Sequence, residues 1–299
     1  GIAKMCFGNK IGFEFTSKLT AQQLFKPCYG SFIIELAGDA KQDENVIGVT
    51  RNEYKVMNFD YSISLDSLQR TWESKLELVF PCRIKTTDTT PQEYSYPTTK
   101  KLAPAIKAAK PRVLIPVFPG TNCEYDTARA FEKAGAVAET IVIRNMASGD
   151  IESSVEQIEK SIKNSQIIMI PGGFSGGDEP EGSGKFITAF FRNPKIKDAV
   201  HELLKNRDGL MLGICNGFQA LIKLGLVPFG EIVDMTDESP TLTFNTIARH
   251  QSMMVNTRIA SNKSPWLYGC EVGDIHTIPI SHGEGRFVAP LSLIQRLAN

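Results

Sequence analysis

Short apolar segments alternate with amphipathic segments from residue 111 onward, and this alternation limits the possible folds more than any other feature. Apolar runs of strand length separated by helical periodicity are typical of strands connected by helices. The pattern predicts strands at residues 112–118, 137–143 and 166–170, and helices at 126–134 and 151–163. Because these strands are apolar throughout, we expect an α/β fold with a mostly parallel sheet flanked by helices. In such sheets, functional loops gather at the carboxyl ends of the strands.

Residues 209–219 place a cysteine where another apolar strand changes into a helix. Gly213 and Gly217 flank Cys215 with the spacing of a nucleophile elbow, in which larger flanking side chains would collide with neighbouring backbone. The amino end of the helix favours the thiolate, so Cys215 is predicted to be a nucleophile. The alternative interpretation is a small buried hydrophobic residue, which is the usual fate of a free cysteine. Cys123 lies between Thr121 and Glu124, which have the spacing of a capping box, and it is interpreted as structural rather than as a second reactive thiol.

A glycine-rich loop at residues 171–178 follows the strand predicted at 166–170. Four glycines in so short a run indicate a close approach of the backbone or positive φ angles. We expect N–H groups of this loop to stabilise an oxyanion, with the N–H of Asn216 as a second donor. A phosphate-binding loop is the rival interpretation, but its glycine and lysine patterns are missing. Gln219 lies one helical turn beyond Cys215, within reach of a bound substrate.

A catalytic thiolate usually needs a general base that a third group holds in place. His282 is the best candidate of the four histidines, because an extended run places it on the same side as Glu284. The glycines that follow each of the two residues leave room around them. The alternative is an exposed loop histidine beside a chance glutamate. His201 and His276 lack such a setting, and His250 has no role that the sequence settles.

Composition bounds the class of ligand and the compartment. The 33 basic and 33 acidic residues cancel, which favours small neutral or zwitterionic ligands over nucleic acid or a membrane surface. The six cysteines are scattered without a C-x-x-C pair, as expected of reduced thiols in a cytoplasmic protein. No apolar run reaches the length of a membrane span.

The chain is expected to contain two domains and a linker. Residues 1–84 predict a small α+β unit, with strands at 29–36, 46–50 and 55–64 and a helix at 65–79. Residues 85–110, rich in threonine, proline, lysine and alanine, predict a linker. Residues 111–299 form the α/β domain. Because the chain starts at Gly1 and stops at Asn299, we expect a fragment of a longer protein, truncated at its carboxyl end.

The G-x-C-x-G-x-Q run at 213–219, the late His-x-Glu and the glycine-rich loop together resemble class I glutamine amidotransferases. This resemblance implies a flavodoxin-like arrangement of the sheet. Within that class, residues 118–124, 171–178, 256–258, 263–265 and 281–287 are similar to the phosphoribosylformylglycinamidine synthase family. By the same resemblance, residues 1–84 look like the tail of the family's synthetase half, an aminoimidazole ribonucleotide synthetase-like domain.

The resemblance also implies a chemistry and a role for each matching residue. Cys215 would attack the carboxamide of L-glutamine, and ammonia would leave. Water would then hydrolyse the thioester, with His282 as the general base and Glu284 orienting His282. The implied oxyanion hole comprises Gly172, Gly173 and Asn216, and the implied substrate-binding residues are Gln219, Phe174 and Ser175. No cofactor or metal ligand is expected in this chain.

A synthetase partner follows from the same resemblance. In the intact enzyme, the ammonia would pass to the synthetase half of the same enzyme. That half uses ATP and magnesium to convert formylglycinamide ribonucleotide to formylglycinamidine ribonucleotide in de novo purine biosynthesis.

Two departures from the family pattern leave alternatives open. Gly176 stands where many relatives have tyrosine, and the chain ends soon after Arg286, where relatives continue. A DJ-1-like thiol protein shares the sheet and the elbow, but there a histidine typically follows the cysteine, whereas here Asn216 does. A catalytically silent docking fragment is the third interpretation.

Overall fold

The computed structural model describes residues 1–38, 45–79, 92–100, 103–104, 107–175 and 184–298. The chain divides into two compact units, Gly1–Thr89 and Thr90–Asn299. Each unit has its own hydrophobic core. Among the helices of the described residues, none combines the length and apolar character needed to span a bilayer.

The first unit is a small α+β structure built on a four-stranded sheet. Its elements are α1 (Ile2–Asn9), β1 (Gly12–Phe15), α2 (Ala21–Leu24), β2 (Gly48–Arg51), β3 (Lys55–Asn58), β4 (Tyr61–Ser64) and α3 (Leu65–Ser74). The strand order is β2-β1-β3-β4, in which β1 and β3 are parallel and the other pairs antiparallel. Phe13 and Phe15 of β1 pack with Leu65 and Cys6, and this core confirms the predicted α+β character.

The strand predicted at residues 29–36 is wrong, because these residues form neither strand nor helix. Phe32 and Ile34 are 89% and 75% exposed. Alternating apolar residues favour a strand only where a partner strand and a core face are available. In this unit β1 pairs with β2 and β3. The run predicted as one strand at 55–64 is the β3–β4 hairpin.

The predicted linker at 85–110 falls largely outside the described residues, which omit 80–91, 101–102 and 105–106. In the part that is described, an isolated bridge pairs Tyr96 with Ser261, and the Tyr96 N–H donates to the Ala260 oxygen at 2.8 Å. The domain limits of 1–84, 85–110 and 111–299 stay a prediction.

The second unit contains the parallel sheet that the alternating pattern predicts. Its strands are β5 (Arg112–Val117), β6 (Val137–Val142), β7 (Ile167–Ile170) and β8 (Leu210–Gly213). All neighbours are parallel, in the order β6-β5-β7-β8. The helices of this region are α4 (Glu124–Lys133), α5 (Asp150–Asn164), α6 (Lys185–Phe191), α7 (Pro194–His201), a π-helix (Glu202–Asn206), α8 (Asn216–Leu224) and α9 (Leu226–Phe229). The predicted fold class is confirmed.

Helices cover both faces of this sheet. Leu114 and Ile168 belong to a core that includes residues of α5, α6, α7 and α8. Val113, Ile115 and Met169 belong to a second core against α4. Because successive strand residues face opposite sides, an apolar strand can supply both cores at once. Each fully buried aliphatic side chain contributes about 1.5–3 kcal/mol, so the sheet is a rigid base for its edge loops.

Two antiparallel pairs and a short helix complete the second unit. They are β9 (Thr241–Thr243) with β12 (Arg286–Val288), β10 (Gln251–Arg258) with β11 (Ile275–His282), and α10 (Leu291–Leu297). A 3₁₀ helix (Pro265–Leu267) lies between β10 and β11. The Trp266 indole N–H donates to the Met211 oxygen of β8 at 3.2 Å, which joins this region to the sheet.

Candidate active site

Cys215 lies in the sharp turn between β8 and α8, with a positive φ of 51°. Such a backbone is strained for a residue other than glycine and is typical of functional turns. A Cβ on Gly213 would lie 2.6 Å from the carbonyl carbon of Gly217, and a Cβ on Gly217 would overlap the Ile170 oxygen. The two glycines therefore allow the close packing that the elbow pattern predicts. Cys215 is exposed, so its interpretation as a buried hydrophobic residue is wrong.

The predicted oxyanion hole would use backbone N–H groups of residues that border Cys215. A Cβ on Gly172 would be only 3.3 Å from the Cβ of Cys215, so the backbone of Gly172 borders the nucleophile. Asn216 is the first residue of α8, and the first N–H groups of a helix have no partner within it. Gly172 and Asn216 are thus both neighbours of Cys215. Their function as donors stays a prediction.

The glycine-rich loop is held in place by the loop that follows β5. The Asn122 N–H donates to the Gly172 oxygen at 2.9 Å, and the Phe174 N–H donates to the Gly120 oxygen at 2.8 Å. Gly173 has a φ of 134°, and a Cβ there would lie 2.5 Å from the Gly120 oxygen. These two hydrogen bonds use the N–H of neither Gly172 nor Gly173. The pairing therefore fixes the loop without consuming the predicted oxyanion donors.

A chain of buried hydrogen bonds connects this loop to α8 and to the segment after His282. The Ser175 hydroxyl donates to Asn216 Oδ1 at 2.7 Å, and Asn216 Nδ2 donates to Gln219 Oε1 at 3.1 Å. Gln219 Nε2 then donates to the backbone oxygen of Glu284 at 3.1 Å. We call Ser175, Asn216, Gln219 and Glu284 the amide relay. It joins the three segments singled out in the sequence, the glycine-rich loop, the elbow helix and the histidine loop.

Two of the three predicted substrate-binding residues have side chains that are hydrogen-bonded within the relay. Ser175 and Gln219 are buried, and their side chains serve the relay. Phe174 is 49% exposed. Contact of these three residues with glutamine stays a prediction. The departure at Gly176 lies outside the described residues, which omit 176–183.

Asn245 determines which nitrogen of His282 carries the proton. Asn245 Nδ2 donates to the backbone oxygens of His282 at 2.8 Å and Arg249 at 3.0 Å, which identifies Oδ1 as the acceptor. Oδ1 lies 2.9 Å from His282 Nδ1 and also accepts the Gly285 N–H at 3.2 Å. An acceptor at that position requires a proton on Nδ1. In the neutral ring, Nε2 therefore has the lone pair that a general base needs.

Sequence reasoning missed Asn245 because no pattern marks it. It lies 37 residues before His282 and just after β9, in no recognisable motif. Its N–H also donates to the Gly283 oxygen at 2.8 Å. Only the folded chain shows that one asparagine contacts the ring and the backbone of the histidine loop.

The glycines beside His282 have unequal roles. A Cβ on Gly285 would overlap the His282 ring, so that position must stay small. At Gly283 an added Cβ would meet open space. The expectation that glycine leaves room around the histidine is confirmed at Gly285, and the space beside Gly283 is open as well.

Glu284 is buried, and its backbone oxygen belongs to the amide relay. Burial lowers the pKa of Lys223 in α8, and the Glu284 carboxylate opposes this shift. The described bond at His282 Nδ1 goes to Asn245, so the orienting role of Glu284 stays a prediction. Among the hydrogen bonds of the described residues, none joins the Cys215 sulfur to the His282 ring. The pairing of these two residues therefore also stays a prediction.

The other three histidines have contacts of their own. His201 Nε2 accepts the Ile232 N–H at 3.0 Å, and burial lowers the pKa of its imidazole. His250 Nε2 lies 2.9 Å from the Ser281 hydroxyl. His276 is exposed on β11. The choice of His282 as the general base therefore stays a prediction.

Comparison with known proteins assigns the class that this sheet, elbow and histidine loop indicate. The chain belongs to the CobB/CobQ-like glutamine amidotransferase domain family, whose model matches residues 110–299. The match covers more than half of the chain and confirms the resemblance to glutamine amidotransferases.

Similar curated proteins carry the name of one purine enzyme. The chain is 38% identical over 180 residues to the phosphoribosylformylglycinamidine synthase subunit PurQ of Methanococcus maripaludis strain C7, and the match covers 59% of each protein. It is 30% identical over 181 residues to the PurQ subunit of Aquifex aeolicus, covering 60% of this chain and 66% of the relative. The resemblance to this synthase family is confirmed, although the chain spans only 59% of the length of the Methanococcus relative.

A solved structure is also similar. A chain of PurLQS from Thermotoga maritima is 27% identical, with a TM-score of 0.44, and the match covers 60% of this chain and 70% of that one.

Proposed function

We propose that this chain is the carboxyl-terminal part of a phosphoribosylformylglycinamidine synthase and that its second unit hydrolyses L-glutamine. One observation carries the proposal. Cys215 is exposed on a glycine-flanked elbow, next to Gly172, and the amide relay joins its helix to the histidine loop. The family match and the names of the relatives support glutamine as the substrate.

The first half-reaction forms a thioester. The sulfur of Cys215 attacks the carboxamide carbon of glutamine, and His282 Nε2 accepts the thiol proton. The N–H groups of Gly172 or Gly173 and of Asn216 stabilise the oxyanion, and each such donor is typically worth about 10²–10³ in rate. The imidazolium then gives its proton to the leaving nitrogen. Ammonia departs, and a glutamyl thioester remains on the sulfur.

The second half-reaction restores the enzyme. His282 accepts a proton from water, which attacks the thioester carbon. Glutamate leaves, and the imidazolium returns the proton to the sulfur. Asn245 keeps the other ring nitrogen protonated throughout. By the family resemblance, Glu284 orients His282.

We assign the remaining parts of the chain by resemblance. Residues 1–84 are the tail of the synthetase half, 85–110 are a linker, and 111–299 are the glutaminase domain. The ammonia serves the synthetase half, which uses ATP and magnesium to make formylglycinamidine ribonucleotide. The relatives are named as subunits of that synthase. Five free cysteines among the described residues fit a cytoplasmic protein.

A glutamine-analogue electrophile, 6-diazo-5-oxonorleucine, tests the proposal. The 299-residue chain is treated with the reagent, the adduct is mapped by mass spectrometry, and glutamate release is measured without it. We expect a single adduct on Cys215. We also expect that Cys215→Ser lowers glutamate release by at least about 10³-fold.

Cys123 provides a matched control, because it too is exposed, precedes a helix and has a positive φ of 69°. Cys123→Ser should keep both the adduct and the turnover. Labelling of Cys215 without turnover would favour the silent fragment. Equal labelling of all the thiols would overturn both readings, and reaction without preference for the glutamine analogue would favour the DJ-1-like alternative.

A further inference from the structure

Three different metal-binding side chains meet where the chain enters β11. The Cys270 sulfur, an Asp274 carboxylate oxygen and a His276 ring nitrogen all lie within 4.8 Å of one another. Cys270 is half-buried and His276 is exposed. None of the three belongs to the amide relay, and the glutaminase mechanism uses none of them.

Backbone hydrogen bonds hold the turn that carries two of these donors. The Glu271 N–H donates to Asp274 Oδ2 at 2.8 Å, and the Asp274 N–H donates to the Glu271 oxygen at 3.1 Å. Gly273 takes the positive φ of 106° that the turn requires. Asn262 Nδ2 donates to the Cys270 oxygen at 3.4 Å. The carboxylate is thus fixed by a bond to one of its oxygens and retains further lone pairs for a ligand.

The third donor is positioned by strand pairing. Asp274 and His276 are two residues apart in extended chain, so their side chains lie on the same face. The Asp274 oxygen accepts the Ile259 N–H at 2.9 Å, and His276 pairs with Thr257 of β10. The β10–β11 pair therefore brings the imidazole to the turn that holds the thiol and the carboxylate.

We propose that Cys270, Asp274 and His276 bind one Zn²⁺ ion. Thiolate, imidazole and carboxylate are the three protein ligand types that zinc uses, and calcium and magnesium prefer oxygen ligands alone. Three protein ligands with water in the fourth position make a tetrahedral site. On binding, the Cys270 thiol gives its proton to solvent and coordinates as the thiolate.

The distances fit this geometry after small rotations. Zinc–ligand bonds of about 2.0–2.3 Å place tetrahedral donors about 3.3–3.8 Å apart. Donors within 4.8 Å of one another need to approach by at most about 1.5 Å. Side-chain rotation of His276 supplies such a change, because its ring is exposed.

The proposed site is separate from the glutaminase chemistry. His282 is at the opposite end of β11 from His276, about 20 Å away at the rise of an extended strand. Zinc at Cys270 would therefore clamp the turn and the start of β11 without entering the proposed reaction.

Cobalt substitution followed by zinc competition tests the site on the full chain. Co²⁺ is added to metal-free protein under reducing conditions, and the absorption spectrum is recorded. We expect one equivalent to give a thiolate-to-cobalt charge-transfer band and intense visible bands of tetrahedral cobalt. One equivalent of Zn²⁺ should then remove them. Zinc affinity should fall on acidification, because protons compete for the ligands.

Matched variants separate this site from adventitious binding. Cys270→Ser should abolish the charge-transfer band, and His276→Gln and Asp274→Asn should each weaken zinc binding by at least about tenfold. Asp274→Asn keeps an oxygen that accepts the Glu271 N–H, so it tests coordination without opening the turn. Cys28→Ser and His250→Gln, at positions outside the cluster, should bind zinc as the unchanged chain does.

Two results would overturn the proposal. One is the absence of a thiolate band at one equivalent of cobalt. The other is zinc binding that Cys270→Ser and His276→Gln leave intact, or that Cys28→Ser reduces as much, since the metal would then lie elsewhere. Both readouts are independent of glutamine hydrolysis.

Discussion

At the scale of single residues, the proposed base depends on an amide. Asn245 accepts from His282 Nδ1 and donates to the backbone oxygens of His282 and Arg249. The sequence predicts His282 from its extended, glycine-flanked setting, whereas Asn245 has no local signal at all. A residue that acts through a contact 37 positions away becomes visible only in the fold.

Asn245→Ala should lower kcat for glutamine hydrolysis by about 10–100-fold while KM changes little, because the ring loses its tautomer and orientation and glutamine contacts remain. Steady-state kinetics of the two parameters check this. Asn256→Ala is the control, since that asparagine lies on β10, which pairs with the strand of His282, but accepts from Thr277. Full activity of Asn245→Ala, or an equal loss in Asn256→Ala, would contradict the assignment.

The two glycines of the histidine loop give a second residue-scale prediction. Gly285→Ala should reduce glutaminase activity strongly, because its methyl group would displace the His282 ring. Gly283→Ala meets open space and should change the free energy of unfolding by no more than about 1 kcal/mol. Activity assays and urea unfolding of both variants test the contrast. Equal behaviour of the two would show that the ring does not lie over Gly285.

At the scale of elements, the β8–α8 unit is where sequence and structure agree most closely. The sequence predicts the strand, the glycine-flanked cysteine and the helix, because this pattern is local and the steric reason for the glycines is general. The sequence does not predict the amide relay, although it indicates Gln219 as a substrate-binding residue. Its bonds join Ser175 to Asn216 over 41 residues and Gln219 to Glu284 over 65.

The elbow predicts a clear difference between two glycines. Gly217→Ala should lower the free energy of unfolding by about 3 kcal/mol, because its Cβ would overlap the Ile170 oxygen and separate α8 from the sheet. Gly269→Ala, with no atom within 4 Å of its added Cβ, should be nearly neutral. Chemical denaturation of the two variants is the measurement. A neutral Gly217→Ala would mean that α8 does not pack as closely as described.

At the scale of the whole molecule, the parallel sheet was predictable and the amino-terminal unit only in part. Strands such as residues 112–117 supply two cores and therefore carry an apolar signal along their length. Residues 29–36 carry an alternating apolar signal, yet Phe32 and Ile34 are exposed and no strand forms. Periodicity shows which side chains a segment could bury as a strand. Whether a partner strand is present depends on the rest of the chain.

Global stability should depend on pH through His201. Burial, followed by Lys205 and Lys197, lowers the pKa of its imidazole below the usual value. The unfolded chain therefore binds more protons near pH 6.5 than the folded chain does. The stability contribution is complete above about pH 6.5 and is lost as the pH falls through the lower, folded-state pKa.

Urea unfolding between about pH 7.5 and 5 measures this effect. His201→Gln should show a flatter dependence, because the glutamine oxygen accepts the Ile232 N–H without titrating. His250→Gln, whose ring contacts Ser281, should keep the original slope. An unchanged slope in His201→Gln would assign the acid sensitivity to other groups.

The amide relay also bears on how such a chain can diverge. Replacing Asn216 by an aliphatic residue would remove the acceptor of the Ser175 hydroxyl and the donor to Gln219 Oε1, at a cost of about 1–3 kcal/mol for each buried group. We therefore expect the loop at Ser175, the turn at Cys215 and the loop at His282 to be inherited together. A chimaera that takes one of these three segments from a relative should fold and remain active only when the other two segments come from the same relative.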